Sequence, residues 1–479
     1  MEWQEIRSLQ RNLEHFLRGF EGCFARSEGR SHLRRYVRGQ LSNLTRKSVE
    51  PIADQAGIAP RTLQDFLATH TWDHEQAIDR LQQCVAENHN DESSVGLVDE
   101  TSFPKSGQKT AGVQRQYCGA TGKIDNCLVS VHLGYSASAD AFRCTLDSQL
   151  YMPKSWLADT DSCREAGIPK GLVHRSKWEI ALDLVRRALA NGVRFGYLTF
   201  DEGYGKVPKF LESLNAMGQR YVAEVPVIFS GWLLEPTVLQ KGRHQGRGRP
   251  LKYPRLSVKS TSANRVDRLC KHSYPMRDQP WETFHVKDSY KGPIVWKAKA
   301  ARFRMKLPYP DGGGRGAGYG LPSCPLCLIV AKNVLTDEIK YFVSNAPAGT
   351  PLEELLRVAF SRWHIERCFQ DEKSFLGMDH FECRRYVAIR RHLVITAISH
   401  LFLSEVRLEQ MRRGEKAPVS AATAPCGRRV NRHGQYAARR AKRAPPVDQF
   451  VYPTNAASQF ESGTMSQTAT VETTGTTRY

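Results

Sequence analysis

The sequence predicts an α/β core interrupted by a β-rich insertion, with an all-helical region before it and a disordered basic tail after it. Three observations carry this. Apolar residues fall at helical spacing near the start, as with Ile6, Leu9, Leu13 and Phe16. From Ser94 short apolar runs of strand character take over, and two of them run into an aspartate. The stretch Leu355–Asp379 then reads as one long helix, with Arg362, Glu366 and Lys373 on one face at steps of four and seven. Val358, Ile365, Phe369 and Leu376 form a neighbouring apolar stripe that can dock on the core. An Arg and a Glu four apart on a helix are ordinarily a surface pair, so this edge gains meaning only if other carboxylates converge on Glu366.

At 479 residues the chain has room for several domains and a sizeable core. Its 69 Lys and Arg against 49 Asp and Glu give a net charge of +20. Residues 406–479 hold 12 basic and 5 acidic side chains, so most of the excess sits on the folded body. That balance favours a polyanionic partner, nucleic acid before membrane. No apolar run in the sequence approaches membrane-spanning length and the N-terminus lacks a signal-peptide pattern, so a cytoplasmic, nucleoid-associated protein is expected. The 12 cysteines are scattered. The one CxxC, Cys324–Cys327, lacks the second pair that a zinc site needs and reads as a turn around Pro325.

Residues 1–90 form the helical region. Within it Ile52, Ala53, Gly57, Ile58, Leu63 and Phe66 fall where a helix-turn-helix needs them, and the second helix, from about Pro60, offers Arg61, Thr62 and Gln64 to a DNA groove. The alternative is a plain helical hairpin. Residues 91–227 hold the first part of the core. A strand Val95–Val98 ends in Asp99, Lys105 and Lys109 follow in a loop, and Cys127–Tyr135 and Phe142–Met152 complete an antiparallel meander. Lys177–Ala190 reads as a helix and Phe195–Phe200 as a strand ending in Asp201, where Gly203 and Gly205 permit a tight turn. A helix over Val207–Met217 and a strand over Tyr221–Val227 follow.

Residues 228–347 read as a basic, β-rich insertion. Its Arg247-Gly-Arg249-Pro250 segment is similar to a minor-groove arm of the AT-hook kind, the alternative being a solvated loop. Residues 348–406 return to the core with the charged helix and a further helix of basic start and apolar end, Arg384–Val406. Residues 407–479 are the basic tail.

Asp99, Asp201 and Glu366 thus stand on two strands and one helix of a single core. Three converging carboxylates repel, and divalent metal offsets that best; carboxylate oxygens suit Mg²⁺ or Mn²⁺ better than zinc. At this point the chain resembles the DDE transposases of bacterial insertion sequences, which have a ribonuclease-H-like catalytic core. VDETSFPKSG around Asp99 and TFDEGYG around Asp201 look like the first two aspartate motifs. Arg362, Glu366 and Lys373 match the Tyr-x2-Arg-x3-Glu-x6-Lys pattern of one branch, although its tyrosine position is Ala359 here. The wide gap from Asp201 to Glu366 is similar to members with a β-strand insertion.

The resemblance implies that Asp99, Asp201 and Glu366 are catalytic and bind two Mg²⁺ ions, with Mn²⁺ substituting. It implies cleavage of double-stranded DNA at element ends, joining to a target, and a homodimer in the synaptic complex, with no membrane partner. Arg362, Lys373 and Lys105 would contact DNA near the cut; Arg61, Gln64, Arg247 and Arg249 would contact it elsewhere. Glu100, Glu202 and Glu372 are neighbouring acids read as solvated or surface-paired. A nuclease without strand transfer fits the carboxylates equally, but leaves the long basic insertion and the N-terminal segment without a role. An inactive DNA-binding regulator fits the helix-turn-helix and the charge, but not the three acids and the lysine all in place.

Overall fold

The computed structural model describes residues 3–137, 141–240, 253–289, 292–308 and 320–414. The RGRP segment with Arg247 and Arg249, and the basic tail from residue 415, lie outside the described residues.

Five helices come first: α1 (Trp3–Arg18), α2 (Ser27–Leu41), α3 (Val49–Gln55), α4 (Pro60–Ala68) and α5 (His74–His89). Between α3 and α4 the chain turns at Gly57, whose φ of +64° is left-handed and favours glycine. Ile52, Ala53, Leu63 and Phe66 are fully buried, while Arg61 and Gln64 face outward.

Strands β1 (Val95–Pro104), β2 (Gln114–Cys118), β3 (Lys123–Ala137) and β4 (Phe142–Leu150) follow. After the short helices α6 (Lys154–Ala158) and α7 (Thr160–Glu165) come α8 (Lys177–Ala190), β5 (Tyr197–Phe200), α9 (Glu202–Gly205), α10 (Pro208–Ala216) and β6 (Tyr221–Val225). The next stretch is mostly strands: β7 (Ser230–Trp232), β8 (Val238–Leu239), β9 (Arg255–Leu256) and β10 (Asn264–Arg265), then α11 (Val266–His272) and α12 (Tyr274–Arg277), then β11 (Glu282–Ser289), β12 (Gly292–Met305), β13 (Leu326–Asn333) and β14 (Ile339–Ser344). Helices α13 (Leu352–Phe360), α14 (Trp363–Leu376) and α15 (Tyr386–Gly414) close the described chain.

Among the described residues one mixed sheet runs in the order β10-β7-β12-β13-β14-β6-β5-β1-β3-β2, with β11 beside β12 and β4 beside β3. Strands β1, β5 and β6 are parallel neighbours, and β3 lies antiparallel to β1. This mixed α/β arrangement is consistent with a ribonuclease-H-like core. Most strands after β6 extend the same sheet, because β14 pairs antiparallel with β6; β8 and β9 pair only with each other. The N-terminal helices and the sheet belong to one compact unit.

Two expectations are corrected. The predicted single helix over Leu355–Asp379 is two, because Ser361 ends the first: its N–H and hydroxyl both donate to carbonyls of the preceding turn, those of Arg357 and Val358. Strand β1 does not stop at Asp99. It continues to Pro104 because β3 pairs with it throughout, Asp99 opposite His132. QRQYC, to which the sequence pattern assigns no element, is strand β2 on the edge of the sheet.

The basic start of α15 is not a surface. Arg390 and Arg391 are buried; Arg391 donates to the carbonyls of Phe66, Leu67 and Trp72, and Arg390 to Glu75. Helix α15 is also long and apolar enough by composition to cross a membrane, which the sequence reading missed, but 89% of its apolar window is buried inside the protein.

Candidate active site

The register of β1 and β5 sets up the site. They are parallel, with Val98 beside Phe200, so Asp99 on β1 and Asp201, just past the end of β5, each stand one residue further on. Asp201 leaves the strand and caps α9. Its Oδ1 accepts from the N–H groups of Gly203 at 3.0 Å and Tyr204 at 3.4 Å. Gly205 lets α9 pack on β6, since a Cβ there would sit 1.9 Å from the carbonyl oxygen of Glu224.

Helix α14 lies on the same face of β1 and β3 as Asp99. Ile365 fills the space above Gly134, Phe369 meets the ring of His132 edge-on at 4.9 Å, and Lys373 reaches Thr101. This docking carries Glu366 to the edge over Asp99. Arg362, at the start of α14, joins the two: one guanidinium nitrogen donates to Asp99 Oδ2 at 3.0 Å and another pairs with Glu366. The side chains of Asp99 and Arg362 are 15% and 25% exposed, while Glu366 is 57% exposed.

Burial, and then the nearby Asp201 carboxylate, push Asp99 up to about 7 against the pull of Arg362. Asp99 is thus short of positive charge even with a guanidinium beside it. Among the described residues no three His, Cys, Asp or Glu side chains converge closely enough to hold one ion. Here Arg362 lies between Asp99 and Glu366. The donor set still fits a hard divalent cation: carboxylate oxygens on a strand, at a strand end and on a helix, with one of them held above its ordinary range by burial and then by a carboxylate neighbour.

Other candidates are placed differently. Lys373 donates to Thr101 Oγ1 at 2.7 Å, with Phe103 beneath it, and burial lowers its pKa. Lys105 donates to the Phe381 carbonyl at 2.8 Å and stacks on its ring, and burial lowers its pKa as well. Arg61 pairs with Asp65 on the exposed side of α4, and Gln64 is exposed beside it. Among the neighbouring acids, Glu202 is exposed. Glu372 is neither solvated nor surface-paired: it is buried with a carboxylate oxygen 3.0 Å from His400 Nδ1, because α14 turns that side against α15.

Sequence reasoning missed a brace behind the site. Glu100 pairs with Lys177, and the buried Tyr204 donates to Glu100 at 3.2 Å. This ties the strand of Asp99 to the turn after Asp201. The signal available was the tyrosine inside DEGYG.

The profile of the DDE superfamily endonuclease family matches residues 19–293, which take in Asp99 and Asp201. The chain belongs to that family. It is also 29% identical over 189 residues to the probable transposase for insertion sequence element IS701 of Microchaete diplosiphon. That similarity covers 39% of this chain and 46% of the relative, so the chain spans about half the length of the curated relative it matches.

Proposed function

We propose that this chain is a DDE transposase, which cuts double-stranded DNA at the ends of an insertion sequence and joins those ends to target DNA. The observation that carries the reading is the convergence of Asp99 and Glu366 on Arg362, with Asp201 just past the end of the adjacent strand. Family membership and the similarity to an insertion-sequence transposase support it.

In this reading Asp99, Asp201 and Glu366 would hold two Mg²⁺ ions, for which Mn²⁺ would substitute. The ions supply the activation of water or a 3′-hydroxyl and the stabilisation of the leaving oxygen. Asp201 is oriented for this by the two N–H groups it caps, and Asp99 by the N–H of Glu100 at 2.7 Å. Arg362 holds Asp99 and Glu366 together and would offer its charge to a phosphate near the scissile bond. Lys373 steadies β1 through Thr101 and adds positive potential beside the scissile bond. Arg61 and Gln64 on α4 contact DNA away from the cut, and Lys105, close to Phe381, adds to the field near it. Two element ends are held together by a pair of chains.

The test uses labelled DNA from the flank of the gene with Mg²⁺ or Mn²⁺, beside a Glu366→Ala chain. Metal-dependent cutting at the element end, absent in the variant, is the expected result. Subsequent joining to a second DNA separates a transposase from a nuclease that only hydrolyses. Binding with no cut under either metal would replace the reading with that of a DNA-binding regulator.

A further inference from the structure

The β2–β3 hairpin supplies none of the three carboxylates, yet strand register puts it on the catalytic face. Residues directly opposite in an antiparallel pair share a face, and side chains alternate along a strand. Asp99 lies opposite His132, Thr101 opposite Ser130 and Phe103 opposite Leu128. The face of Asp99 therefore continues along β3 through Asn126 and Ile124. Strand β2 carries it on, with Arg115 opposite Asn126 and Tyr117 opposite Ile124.

Phe103 and Leu128 on this face are buried, but Tyr117 and Ile124 are 66% and 64% exposed. Arg115 is exposed on this face, and Lys123, at the strand end and on the opposite face, is exposed as well, as is the tip, Gly119–Gly122. The nearest acid on the hairpin is Asp125, which lies 4.0 Å from Lys123.

An exposed apolar pair across the two strands of an edge hairpin invites a partner. Two such edges would bring Arg115 and Lys123 of one copy against those of another, on chains that each carry +20. Like charge opposes that pairing, whereas a polyanion is drawn to the same edge. The eight steps from His132 to Ile124 span about 27 Å at about 3.4 Å per residue. A DNA strand also advances by about 3.4 Å per nucleotide.

We propose that the β2–β3 hairpin is a contact arm for double-stranded DNA, reaching the duplex about eight base pairs from the bond cut at Asp99 and Glu366. This rests on the reading of the site above. Tyr117 and Ile124 pack on sugars and base edges in a groove, and Arg115 and Lys123 neutralise phosphates.

The experiment measures affinity of the full chain for a flank duplex of about 40 base pairs, which spans the arm's reach on both sides of the cut, across a series of salt concentrations. Arg115→Ala with Lys123→Ala should flatten the slope of log affinity against log salt by about 2, close to one for each phosphate no longer neutralised. Tyr117→Ser with Ile124→Ser should weaken binding about tenfold at fixed salt, with the slope kept. On a duplex trimmed to about six base pairs either side of the cut, this second variant should bind as the parent does.

Unchanged affinity and slope in both variants, with thermal unfolding as in the parent, overturns the proposal. So does a dimer that the Tyr117/Ile124 variant splits while affinity per chain holds, since the edge would then belong to a second copy. A parent chain that binds no DNA brings down the proposed function itself. A parent that binds and cuts while the hairpin variants match it brings down the arm alone.

Discussion

Two arginine–carboxylate clusters in this fold can be set side by side. At the candidate active site one guanidinium, Arg362, spans Asp99 and Glu366, with Asp201 just past the end of the adjacent strand. Under the N-terminal helices two guanidinium groups, Arg187 and Arg390, meet Glu75, Asp79 and Asp147. In the second cluster Arg390 and Asp147 are 1% and 2% exposed, and the pairs tie α5, α8, β4 and α15 together. In the first, Glu366 stands open at an edge. The buried cluster is close to charge balance and fixed by packing. The open one has three acids to one base, with the bridge ending on an exposed carboxylate. Geometry alike in outline serves cohesion in one place and favours added positive charge in the other.

The largest effect that would test this contrast is on cleavage. Asp201→Asn should lower DNA cutting by on the order of 10³-fold or more while leaving DNA binding intact, measured on a labelled flank fragment. Retained cutting would remove Asp201 from the site and erase the distinction.

The second effect is on stability. Arg390→Ala leaves the buried Asp147 with Arg187 as its one remaining cation and should cost about 3–5 kcal/mol in chemical denaturation. Arg362→Ala, at a partly open site, should change stability by no more than about 1 kcal/mol. Equal costs would mean that both clusters are structural.

The third concerns pH. Burial outweighs the two arginines and pushes Asp147 from 3.8 to about 6. The folded chain then binds one proton more than the unfolded chain between those values, so this group's contribution to stability falls as pH rises from about 4 to about 6, by on the order of 3 kcal/mol. Glu75 acts oppositely: its arginine and histidine partners hold it below the usual carboxylate range, so its contribution is lost as pH falls through that range. Asp147→Asn should therefore flatten the decline between pH 4 and 6 in urea titrations. A decline that persists would locate it elsewhere.

The smallest effect lies outside both clusters. Arg61→Ala with Gln64→Ala on exposed α4 should leave stability within about 0.5 kcal/mol. On the proposed reading it should weaken binding to flank DNA while the cut rate at saturation holds. Unaltered binding would take α4 off the DNA.

The open cluster was legible in the sequence because its residues sit on regular elements. Apolar runs marked the strands leading into Asp99 and Asp201, and a stripe at helical spacing fixed the phase of Glu366. The buried cluster was not, because Arg390 stands 315 residues from its partner Glu75, and a charged residue in a helix looks the same whether it faces water or carboxylates. The break at Ser361 escaped because the apolar spacing runs on from Val358 to Ile365 across it, so only the hydroxyl signalled the end. Strand β2 escaped because an edge strand with alternating polar residues has little apolar signature.

Helix α15 has a consequence for measurement along DNA. Thr396 and Ser399 hold Gln40 of α2, Arg391 holds the end of α4, and Ser404 holds β4. The same rod thus grips both the outward-facing hairpin of helices and the sheet bearing the aspartates, and the two cannot drift apart as beads on a string would. On the proposed reading the protein works as a caliper with a fixed jaw. DNA lengthened by half a helical turn between the bound segment and the cut should escape cleavage, and lengthening by a full turn should not restore it. Cutting that tolerates either insertion would show that the jaw slides.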